Sequence, residues 1–142
     1  MVIEKAKPSR EEVLEMGRLQ TEQEIAEWKQ FYDETIVKDM FDEDGYPTDD
    51  ALFLVEKWHW SEEKGWFDFI KSIWHMVSYS WNEGYEPNDW KNGELSYRYY
   101  ISTIGWSGNE AIIRAMEKND MLWAFTWVQL RRGGHYIFEL RS

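Results

Sequence analysis

Apolar residues recur at three- and four-residue intervals from Ile25 to Val77, and then at every second position from Leu95 to Thr103. That switch of period constrains the fold more than any other feature, because a one-sided helix needs a spacing near 3.6 and a half-buried strand a spacing of two. It predicts an α+β chain: N-terminal helices packed on a small, mainly antiparallel three-stranded C-terminal sheet with one inserted helix. At 142 residues the chain is sized for a single domain, 1–142, with an acidic helical part at 1–45 and helices plus sheet at 46–142.

The capping signals set the helix starts. Ser9 and Glu12, after Pro8, form a capping box for a short first helix carrying Val13, Leu14 and Met16. Thr21 and Glu24 form a second box, for a helix in which Ile25, Trp28, Tyr32, Thr35 and Ile36 share a stripe, ending near Lys38 or Met40. Thr48 caps a third helix, where Asp49 and Asp50 complement the dipole, and Ser61 caps a fourth that carries Trp66, Phe67, Ile70, Ile73, Trp74 and Val77. Residues 79–93 mix Asn82, Gly84, Pro87 and Asn92 with Tyr79, Trp81, Tyr85 and Trp90, and read as a loop folded against its own domain or over a site.

Beyond the first strand, Gly105 to Gly108 turns the chain, and Ser107 with Glu110 makes a third capping box for a helix ending near Asn119. Met121–Leu130 and Tyr136–Leu140 read as the second and third strands. Gly133-Gly134 fits a two-residue type I′ turn with positive φ at both positions, which sets Arg131 opposite Tyr136. Both strand faces carry apolar residues, so helices are expected over much of both.

The formal net charge is −11, and residues 1–50 hold 15 acids against 6 bases while residues 51–142 hold 12 against 10. Such a balance argues against non-specific nucleic-acid binding, which needs Lys and Arg to neutralise phosphates. It suits solubility or a basic partner. The absence of cysteine excludes disulfides, thiol nucleophiles and thiolate metal sites. The acidic turn Phe41–Pro47 fails as a calcium loop, because aligning Gly45 with its sixth position puts Met40 first and Ala51 twelfth, where carboxylates are required. His59 and His75 have no correctly spaced second ligand, so no metal or cofactor is implied. Charges interrupt every long apolar run and no signal peptide is evident, which points to a cytoplasmic protein without a membrane partner.

Three stretches resemble a family of small proteins common in phages and prophages: Asp-Glu-Asp-Gly-Tyr-Pro-Thr-Asp-Asp-Ala at 42–51, Ser-Thr-Ile-Gly-Trp-Ser-Gly-Asn-Glu at 102–110, and Arg-Arg-Gly-Gly-His-Tyr-Ile-Phe at 131–138. Where the family pattern reads Ser-Thr-Gly-Gly-Trp-Ser-Gly, this chain carries Ile104, which stiffens the turn. The resemblance implies a mobile-element setting, in which, by analogy, small acidic proteins counter host defences.

The candidate functional residues gather at the two glycine turns. Trp106 offers a stacking surface, the amides at Ser107, Gly108 and Asn109 would meet phosphate, and Arg131, Arg132 and His135 supply charge, together a site for an anionic, nucleotide-like ligand. The competing structural reading makes Trp106 core, Ser107–Glu110 a cap and Gly133-Gly134 a plain turn. A ligand site requires the first two strands to pair as parallel neighbours, bringing both turns to one sheet edge, or a homo-oligomer that joins the turns across subunits. The alternatives are an inhibitor that docks its acidic helices on a basic host protein, and a small hydrolase using His135 with Glu110 or Glu139.

Overall fold

The computed structural model describes residues 9–88 and 91–141. It is α+β, with helices on one face of a four-stranded antiparallel sheet of order β1-β2-β4-β3. The elements are α1 (Arg10–Ile36), α2 (Asp49–Lys57), α3 (Glu63–Ile73), α4 (Val77–Ser80), β1 (Trp81–Asn88), β2 (Glu94–Ser102), α5 (Ser107–Lys118), α6 (Asp120–Thr126), β3 (Trp127–Arg131) and β4 (His135–Glu139).

The two helices expected before residue 40 are one. Ser9 Oγ does accept from Glu12 N at 3.1 Å, which starts α1. Thr21 sits inside the helix, its hydroxyl donating back to Gly17 O at 3.0 Å instead of capping a new start. Glu24 turns away too, toward His59 Nε2 at 3.5 Å. Gly17 costs the helix about 1 kcal/mol relative to alanine, but Arg18 spans the join, paired with Glu15 at 2.5 Å and Glu22 at 2.6 Å. Only the second half of α1 touches the body, through half-buried Ile25, Trp28, Phe31 and Tyr32 and buried Thr35.

Thr48 caps α2 as expected, its Oγ1 accepting from Ala51 N at 3.3 Å. The preceding acidic turn is tied by Asp42 Oδ1, which accepts from Asp44 N and Tyr46 N, both at 2.9 Å. Ser61 does not cap α3. It pairs with His59 Nδ1 at 2.7 Å, and α3 starts two residues later with no side-chain cap. Nor does the fourth helix run to Val77: it stops at Ile73, Met76 takes a left-handed φ of 59°, and α4 follows as one turn.

Two segments differ in kind from the expectation. Within the stretch 79–93, residues 81–88 form strand β1 and not a loop; Trp90 lies outside the described residues. Its Gly84 and Pro87 read as breakers, but β1 pairs only with β2 and lies at the sheet edge, where a missing N–H on the solvent side is tolerated. Residues 121–126, expected as strand, belong to α6, because Asn119 caps it at Leu122 N (3.4 Å) while its amide donates to Val55 O and Trp58 O at 3.2 and 3.0 Å. A short apolar run cannot be told from a buried helix by period alone.

Gly133 and Gly134 have φ of 88° and 78°, as the turn requires. The hairpin loop is nevertheless one residue longer than expected, with Arg131 opposite His135 and a register shift between Trp127 and Gln129. The expected cover of both sheet faces also fails. Tyr99, Ile101 and Phe138 on one face enter the core with Trp66, Phe67, Ile70 and Ile112, whereas the other face carries a polar network. There Tyr100 donates to Glu86 (2.5 Å), Arg98 to Glu139 (2.9 Å) and Asn88 to Ser96 and Glu139 (3.2 and 2.9 Å). On the helix side Glu83 takes Lys71 Nζ at 2.6 Å and the Tyr97 hydroxyl at 2.7 Å, joining α3, β1 and β2 and pushing the Tyr97 pKa up to about 12. Among the described residues no helix is long and apolar enough to cross a membrane.

Candidate functional site

The expected parallel pairing of β2 with β3 is not found: β4 lies between them and pairs antiparallel with both, so the two run parallel without being neighbours. Their C-terminal ends therefore lie on one edge of the sheet. Ser102 faces His135 and His135 faces Arg131, so the three side chains line up on the polar face. Thr103 N donates to Gly134 O at 3.1 Å, locking the hairpin turn to the chain that enters α5.

Beside this row a groove of about 720 Å³ runs over Ser78, Tyr79, Asn82, Tyr100, Ile104 and Ile137, a volume in the range of small-ligand sites. Tyr79 is 82% exposed. The Tyr100 phenol is held above its ordinary pKa by its hydrogen bond to Glu86, with burial adding to the effect, so it stays neutral. No residue lining this groove is acidic, whereas each of the other four described hollows carries at least one carboxylate. Arg131 pairs with no carboxylate among the described residues.

The seven candidate residues fall in three places. Arg131 and His135 line the groove. Trp106 is instead half-buried outside the core, stacked on exposed Tyr46 (4.9 Å between centroids, 24° between planes) and tilted against exposed His75 (4.5 Å, 36°). Gly108 lies beneath that indole, which a Cβ at this position would overlap. Asn109 is fully buried and clamps the backbone of His75, accepting from its N at 3.0 Å and donating to its O at 3.3 Å. Ser107 makes no cap, Trp106 being the N-cap residue; its hydroxyl reaches Tyr46 Oη at 3.4 Å. Arg132 is exposed in the hairpin loop and lines none of the five hollows. His135 has no carboxylate in its groove: Glu139 is taken by Arg98 and Asn88, and Glu110 lines a separate hollow with Arg114.

Tyr79, Asn82, Tyr100 and Ser102 complete the groove without a sequence motif that marks them. The alternation of β2 already puts Tyr100 and Ser102 on the same face, but Tyr79 and Asn82 lay in the stretch read as a loop. Among the described residues no group of three His, Asp or Glu is placed to hold a metal. Comparison with models of known protein families, with curated proteins and with solved structures gave no match.

Ile104 shapes the rim of the groove. Its φ of 49° puts a β-branched residue in the left-handed region, followed by Gly105 at 69°. Ile104 is 45% exposed, so little burial offsets that strain. Ile104→Gly is expected to raise stability by about 0.5–1.5 kcal/mol, measured by urea denaturation; a loss of stability would show that the turn carries no strain.

Proposed function

We propose that this protein binds and sequesters an anionic, nucleotide-like ligand in the groove at the β2–β4–β3 edge. The observation that carries the reading is the freedom of this groove from carboxylates, in a chain with 27 acids, together with Arg131 and His135 on its wall, neither of them paired with a carboxylate among the described residues. Arg131 meets the phosphate, the hydroxyls of Ser78 and Ser102 and the Asn82 amide add donors, and the exposed Tyr79 ring is the platform for a base. Trp106 has no part in it. Sequestration is preferred to turnover because His135 has no carboxylate partner in the groove to orient it as a base. The phage resemblance gives such a sink a setting, the cytoplasm of an infected host, where removing a signalling nucleotide would counter a defence.

The test is thermal unfolding with inorganic phosphate and with nucleoside mono- and diphosphates, since a ligand bound only to the native state raises Tm. Arg131→Ala is expected to weaken binding at least tenfold, as removal of a charged contact costs about 1.5–3 kcal/mol, with the ligand recovered unchanged after denaturation. Arg132→Ala is expected to have little effect. No Tm shift with any of these anions, or equal loss in both variants, would contradict the reading.

A further inference from the structure

A second hollow, of about 530 Å³, lies between α1, α2 and the start of α6, and its chemistry is the reverse of the first. Its walls are aromatic, built by Trp28, Phe31, Phe53, Trp58 and Trp60, and its rim carries four acids, Glu24, Glu27, Glu56 and Asp120, against two bases, Lys57 and Lys118. The walls are fixed by edge contacts, Trp28 against Trp58 (4.7 Å, 63°) and Phe31 against Phe53 (5.6 Å, 76°). Glu24 lies at the rim beside His59, whose Nε2 is buried and makes no hydrogen bond among the described residues. The His59 Nδ1 accepts from Ser61 N at 3.2 Å, which leaves the ring hydrogen on Nε2, 3.5 Å from the Glu24 carboxylate.

The protein already shows what such a surface holds. Lys57 places its own ammonium 5.7 Å from the centre of the Phe53 ring and 3.9 Å from Glu56, a cation over an aromatic face with a carboxylate beside it. Lys57 is 55% exposed and can swing away. We infer that this groove is a cation-binding pocket that takes an arginine or lysine side chain from a basic protein segment, with Lys57 as its internal occupant.

The charge of α1 argues for a macromolecular source over a small free cation. The helix holds eight acids against three bases along its length, extending one sign of field well past the pocket, which steers a basic surface toward it. The site is independent of the anion groove, with which it shares no lining residue.

The experiment is calorimetric titration of the intact protein with a nine-residue peptide of alternating arginine and glycine. Binding is expected, and the double variant Glu27→Gln with Glu56→Gln is expected to weaken it at least tenfold. A control double variant with the same charge change on the distant loop, Glu43→Gln with Asp44→Asn, is expected to stay within twofold. Lys57→Ala is expected to tighten binding at least threefold, because the competing ammonium is gone; a pocket that merely adds to general acidity would give a much smaller gain. Absence of binding, equal weakening in the two double variants, or unchanged or weaker binding in Lys57→Ala would each overturn the inference.

Discussion

Phe67→Ala is expected to lower the unfolding free energy by about 3–5 kcal/mol, the largest effect of any single truncation proposed for this protein. Phe67 is fully buried on α3 and stacks flat on Tyr99 of β2, with 4.0 Å between centroids and 15° between planes. It also touches Trp66 and Phe138, at 5.2 and 5.4 Å between centroids, and so joins the helical layer to both central strands. Removing the ring loses its transfer free energy and leaves a void that neighbours as rigid as Tyr99 and Phe138 cannot fill. Phe67→Leu keeps most of the volume and should cost under about 2 kcal/mol. Urea denaturation followed by tryptophan fluorescence reads both, and a loss below about 1 kcal/mol for Phe67→Ala would show that the helices and sheet do not share one core.

Gly134→Val is expected to cost about 3–4 kcal/mol, and Gly133→Val only about 1–2 kcal/mol. Both glycines have positive φ, so a β-branched residue is strained at either. They differ in surroundings. A Cβ at Gly134 would stand 2.5 Å from Thr103 Oγ1, whereas one at Gly133 meets nothing nearer than the His135 ring at 3.4 Å. Since Gly134 O also takes the Thr103 N–H, crowding at Gly134 parts the hairpin from the α5 entry and distorts the groove edge. Denaturation midpoints with equal slopes measure the difference, and equal losses in the two variants would contradict the described contact.

The change of period near residue 94 made the α+β class, the strand at 95–103 and the hairpin glycines readable in the sequence, because each rests on local chemistry. What was not readable depends on tertiary context. Thr21 and Ser61 carry capping signatures, yet Thr21 is more useful inside α1 and Ser61 beside His59, and nothing local states which use prevails. Gly84 and Pro87 disguised an edge strand, and the run at 121–126 became helix only because Asn119 anchors it to the end of α2. At the site, the sequence showed that Arg131 and His135 flank a turn and that Trp106 precedes a helix. It did not show that Tyr46 and His75 would flank the indole. Tyr46 is 60 residues before Trp106, and such a pairing leaves no local trace.

The central claim is that the acid-free groove at the sheet edge holds the anion, and the most direct measurement is an NMR titration of the backbone amides with a nucleoside monophosphate. Saturable shifts are expected at Ser78–Asn82, Ser102–Ile104 and Arg131–His135, and they should vanish in Arg131→Ala while the remaining spectrum is unchanged. Shifts centred instead on Trp106 and the Ser107–Asn109 amides, or spread over the surface without saturation, would contradict the account.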